Sequence, residues 1–220
     1  MTDDDRLVAL LEQAGEATRF EGEALWRAIE FFVGITATLL AIAFAVLQVA
    51  VPRLLGSAAF FVAAIAGLIA ILGQYVLFIQ TFYYLRARLV RDRLLTAVAT
   101  GRAPDLDYEA RALTASLAEP QRLRVDDLEA IERDLRSRGG VRWVFRIIFG
   151  LMMVFALVLM LDLLPSQASD DAEFFLWSIL IILLAGFGAS GAFFGFWIPK
   201  ALRRAADRAR SAGSQASQPR

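Results

Sequence analysis

The sequence predicts an all-α polytopic membrane protein: four transmembrane helices in two hairpins, separated by a small helical cytoplasmic insert. Three observations carry this. First, 58% of the 220 residues are hydrophobic, and they gather into runs at Phe31–Val51, Ala58–Gln80, Trp143–Leu164 and Phe174–Ile198. Each run is close to the roughly twenty apolar residues a bilayer core requires. Second, the one long polar stretch in the interior, Tyr83 to Arg142, is rich in arginine, including Arg86, Arg88, Arg91, Arg93, Arg136 and Arg142. Positive charge beside a span stays on the cytoplasmic side. Third, residues 165–173 contain Asp170, Asp171 and Glu173 and no basic residue, as expected of an outer loop.

Composition sets the chemical limits. Lys plus Arg and Asp plus Glu both number 23, so overall charge implies no nucleic-acid partner, and only the local distribution of charge is informative. There is no Cys and no His, which removes disulfides, thiolate nucleophiles, imidazole bases, haem ligation and most zinc or copper sites. No cofactor or metal is expected. The preference for Arg over Lys, with abundant Ala, fits a GC-rich genome, and a bacterial cytoplasmic membrane is the expected location.

Residues 1–30 read as a cytoplasmic amphipathic helix. Thr2 is its N-cap, and Asp3, Asp4 and Asp5 occupy the first turn, where the helix dipole favours negative charge. Leu7, Leu10, Leu11, Ala14 and Ala17 recur at helical spacing to about Phe20. That stripe suits either a membrane or partner surface, or the protein's own insert; the acidic polar face argues against an anionic lipid surface. The first hairpin is 31–80, with Trp26 at its inner interface and a short outer connection over 52–57.

Residues 81–142 form the insert. The second span continues as helix through Leu85–Ala99, with Ala87, Val90, Leu94 and Ala97 in three-four spacing, a stripe that requires a partner helix. Gly101 and Pro104 end it. Asp105 or Asp107 caps a short helix through Ala118, and Asp126 with Glu129 makes a capping box for a third helix to Arg138. The alternation of acids with arginines reads as a solvated, salt-bridged surface able to bind a cytoplasmic protein through residues 83–142. The second hairpin, 143–198, carries Trp143, Trp177 and Trp197 as interface anchors. Residues 199–220 are a basic cytoplasmic tail.

Asp4, Asp5 and Leu7 before Trp26, against Asp126, Asp127 and Leu128 before Trp143, suggest a parallel duplication. Two helices obeying the same capping and interface rules would look alike too, and the sequence leaves the choice open.

The candidate sites are intramembrane polar residues. Thr36 and Gln74 lie at one depth in the inner leaflet, and Gln48, Ser178 and Asp162 at another near the outer face. A carboxylate in hydrocarbon is costly without an ion, water or partner, so Asp162 is a candidate ion or proton site. The alternative is an interfacial residue paired with Arg53. Polar contacts between membrane helices contribute roughly 0.6 kcal/mol and serve as packing glue, which is the alternative for the inner layer. Gly191 and Gly195 stand in GxxxG spacing, the pattern of close helix packing, and Ala37, Ala41 and Ala45 form a second small face.

No phosphate-binding loop, dinucleotide fingerprint or serine elbow occurs, and no pair of carboxylates is placed for acid and base work. The expected function is therefore non-enzymatic: an oligomeric membrane sensor or effector with a partner-binding cytoplasmic module and a pore in the assembly. The alternatives are a small ion channel or secondary transporter, and a passive membrane scaffold.

Overall fold

The structure is a computed structural model that describes residues 2–48, 53–119, 122–136, 141–163, 177–179, 181–182, 184–186, 188, 200 and 204, with the backbone alone for 53–57, 136, 141–143 and 163. The described residues are all-helical, with no strand among them: α1 (Asp3–Gln48), α2 (Arg53–Thr100), α3 (Leu106–Thr114), α4 (Val125–Arg136) and α5 (Val141–Leu163). Three helices, α1, α2 and α5, are long and apolar enough to cross a membrane, as in an integral membrane protein. A shorter apolar helical stretch spans Trp177–Gly186.

The N-terminal amphipathic segment and the first apolar run are one helix. Thr2 and Asp5 cap it reciprocally: Asp5 N–H donates to Thr2 Oγ1 at 3.2 Å and Thr2 N–H to Asp5 Oδ2 at 2.8 Å. These bonds hold the Asp5 carboxyl below its ordinary range, the Thr2 backbone contributing most. No proline interrupts the next forty-odd positions. Of the three glycines in α1, Gly15, Gly22 and Gly34, Gly22 lies against α2, where a Cβ would stand 3.5 Å from the Tyr84 ring.

The chain divides into two compact units. The polar unit contains residues up to Trp26 and Phe78–Ser137; the apolar unit contains Arg27–Leu77 and Arg138–Phe193. Helices α1 and α2 contribute to both.

In the apolar unit, Leu40 and Ala43 of α1, Ala59, Phe60, Ala63 and Ala66 of α2, and Ala156, Leu159 and Met160 of α5 form a closed core. Alanines allow helix backbones to approach, which in a membrane substitutes for the missing hydrophobic drive. Among the described glycines the tightest surroundings are at Gly73, where a Cβ would lie 2.8 Å from the Phe149 ring and 3.0 Å from Phe32 Cβ. Ile35, Ile42, Phe61, Ile65, Leu68, Leu151 and Val158 point outward, the arrangement lipid requires. Ala37, Ala41 and Ala45 also face outward, so the small residues that pack α1 are on its other side, at Ala43.

In the polar unit, α2 ends in a Schellman motif. Gly101 takes φ 63°, Arg102 N–H donates to Ala97 O at 3.1 Å and Gly101 N–H to Val98 O at 3.4 Å. Asp105 caps α3 through Tyr108 N–H at 3.1 Å. The helix stops at Thr114, short of Ala118, because Ala115 turns extended and gives its carbonyl to the buried Arg86. In α4 the expected Asp126–Glu129 box does not form the start. Arg124 O accepts from Asp127 and Leu128 N–H, both at 3.1 Å, so Asp126 falls in the first turn and Asp127 is free to turn inward.

Candidate functional site

Of the five intramembrane polar candidates only Thr36 is fully buried, and its Oγ1 has no hydrogen-bond partner among the described residues. Gln74 and Ser178 are half-buried and both are engaged. Gln48 and Asp162 are exposed, Gln48 as the last residue of α1 and Asp162 as the penultimate residue of α5. The Arg53 side chain, proposed as the partner of Asp162, lies outside the described residues, as do Gly191, Gly195, Trp197 and the Trp143 side chain. Trp26 and Trp177 are exposed.

The densest polar constellation lies in the other unit and centres on Arg93. The stripe Ala87, Val90 and Leu94 is buried, and this places the next residue over, Arg93, at the margin of the same interior. Its Nη2 donates to Glu109 Oε2 at 2.9 Å, and its Nη1 donates to Asp127 Oδ1. Tyr108 OH donates to the other oxygen of Asp127 and accepts from Arg124 N–H at 2.7 Å. The Arg124 guanidinium lies 3.8 Å over the Tyr108 ring and donates to Asp105 at 2.6 Å. One guanidinium thus fastens α2 to α3 and α4 through two nearly inaccessible carboxylates.

The electrostatics follow from burial. Burial pushes the Glu109 carboxyl up, and the Asp127 charge adds to this, while Arg93 pulls it back. The Tyr108 phenol is pushed up to about 12, mainly by burial and by its bond to Asp127. Burial works against the Arg93 charge, but Asp127 and Glu109 outweigh it and raise the guanidinium. Arg86, buried beside Tyr83 with Glu21 in electrostatic range, is lowered by burial. Such groups stabilise a structure only when every partner is present.

Nothing in the local sequence singles out this cluster. Read in order, its members belong to the same alternation of acids and arginines as the exposed pairs Arg88–Asp92 and Arg122–Glu119. The available signals were the stripe that flanks Arg93 and the one tyrosine of the insert's second helix. Beside the cluster, a groove of about 600 Å³ opens between the start of α1 and the α2–α3 turn, with Leu7, Val98 and Gly101 in its wall.

No family model matches the chain, and neither a curated protein nor a solved structure shows significant similarity to it.

Proposed function

We propose that this chain is a non-enzymatic integral membrane protein that assembles with copies of itself and presents residues 81–142, with the first turns of α1, as a cytoplasmic sensor or effector module. In this reading four spans form two hairpins in a bacterial cytoplasmic membrane. Both termini are inside; residues 52–57, which from Arg53 onward form the first turn of α2 and not the expected loop, and the loop 165–173 are outside. The arginines flanking the apolar runs support that orientation. The observation that carries the reading is the continuity of α1 and α2, each running without a break from a polar, ion-paired module into an apolar stretch of membrane-spanning length. A helix so shared lets an event at the module bias the membrane segment, or the reverse.

The central cluster suits fastening better than reaction. Its tyrosine is held protonated, its carboxylates are engaged by arginine, and burial leaves little room for a substrate. A pathway through one chain has less support: the cluster packed between α1, α2 and α5 is Ala, Leu, Phe and Met, and Thr36 is the one of the five polar candidates that is fully buried. A pore belongs to the assembly in this proposal. The test is the mass of the particle in nanodiscs, corrected for lipid, together with ion flux in proteoliposomes. A defined oligomer is expected. A monomer whose flux depends on Asp162, as shown by Asp162→Asn, would replace this reading with a single-chain channel or transporter.

A further inference from the structure

Among the helix faces that the polar unit leaves uncovered, one on α1 and one on α2 have opposite chemistry. On α1, Asp5, Val8, Glu12 and Glu16 recur at three- and four-residue spacing, on the side away from buried Leu10, Ala14 and Thr18. Val8 is 65% exposed, and Glu12 and Glu16 have no ion-pair partner among the described residues. On α2, Arg88, Arg91, Leu95 and Val98 recur in the same way, with Leu95 47% and Val98 54% exposed. Arg88 and Arg91 both turn to Asp92, at 3.4 and 3.0 Å. One carboxylate serves two guanidiniums, so this face keeps a positive excess.

The two faces also match in height. Gly22 meets Tyr84, and Leu7 shares a groove wall with Ala97 and Val98, so α1 and α2 run antiparallel through this unit. Val8 is therefore level with Leu95 and Val98, and Glu12 and Glu16 with Arg91 and Arg88.

We propose that a second copy of this chain docks across these faces, α1 of each copy on α2 of the other, about a two-fold axis parallel to the helices. This rests on the self-assembly in the proposed function and names the surface that carries it. A two-fold axis in that direction preserves height, so each seam sets Val8 against Leu95 and Val98, and Glu12 and Glu16 against Arg91 and Arg88. An isologous contact requires one chain to carry both complementary patches, which an unrelated partner does not. Exposed ion pairs contribute little individually; confinement of both copies to one membrane supplies the effective concentration.

The experiment uses the full-length protein in nanodiscs and measures particle mass. Two charge reversals are made separately, Glu12→Arg with Glu16→Arg, and Arg88→Glu with Arg91→Glu. Each alone is expected to convert the two-chain particle to a single chain. Co-expressed with different tags, the two variants are expected to recover a mixed two-chain particle, because each reversed face then meets its complement; that recovery also shows that both fold. Unchanged mass in both variants overturns this interface but leaves assembly standing, held elsewhere. Loss of mass without recovery on co-expression also overturns it. A single-chain wild-type particle overturns both the interface and the assembly.

Discussion

Arg93 ties α2 to both α3 and α4 in the polar unit. It neutralises two carboxylates that have almost no access to water, and removal of one partner from a buried ion pair costs about 3–5 kcal/mol. Arg93→Ala is therefore expected to destabilise this unit by about that amount, seen as early proteolysis between Gly101 and Arg124 while the apolar helices remain protected. Arg93→Lys should recover only part of it, since an ammonium lacks the fork that reaches both carboxylates. Tyr108 makes a separate prediction. Its folded pKa of about 12 lies above the ordinary 10.0, so the folded state holds the phenolic proton more tightly than the unfolded chain does. The resulting stability is complete below pH 10 and is lost as pH rises through 12. A pH titration of the melting temperature should show this loss in the wild type and a smaller one in Tyr108→Phe. Neither residue could be picked from the sequence, because the bonds of Arg93 join positions 16 and 34 apart. Thr2 and Asp105 were legible because a cap and the amide it accepts from lie three residues apart.

At the scale of elements, periodicity and punctuation were informative where the determinants are local. The continuation of α2 to Thr100 follows from an unbroken run without Gly or Pro, and its end from Gly101 in a left-handed conformation. The end of α3 and the start of α4 were not legible, since a tertiary bond from Arg86 shortens one and the Arg124 carbonyl, accepting from Asp127 and Leu128 N–H, sets the other. Helix packing in the apolar unit was equally hidden. The glycines that drew attention stand at Gly191 and Gly195, outside the described residues, whereas the most crowded described glycine is Gly73. Gly73→Val should press on Phe149 and Phe32 and destabilise the α1–α2–α5 core by about 1–3 kcal/mol. Thermal unfolding in detergent would register it, and Phe149→Leu in the same chain should relieve part. Gly15→Ala is the matched control: nothing among the described residues lies within 4 Å of the added methyl, and helix propensity favours alanine by about 0.5–1 kcal/mol.

At the scale of the whole molecule, hydropathy and charge carry most of the account. Three described helices reach membrane-spanning length, and the arginines on which the proposed orientation rests lie between the apolar runs or after them. Both signals are properties of long segments, so they survive without knowledge of any contact. How the polar unit closes and which faces it leaves for a partner depend on residues distant in sequence. In the proposed topology residues 81–142 lie inside and residues 52–57 outside. The absence of cysteine makes single introduced thiols unambiguous, so the most direct measurement is labelling with a membrane-impermeant maleimide in intact and permeabilised cells. Ser57→Cys should label in intact cells, and Ala103→Cys, on the exposed α2–α3 turn, only after permeabilisation. Labelling of Ala103→Cys in intact cells, or equal behaviour of the two positions, would contradict the account.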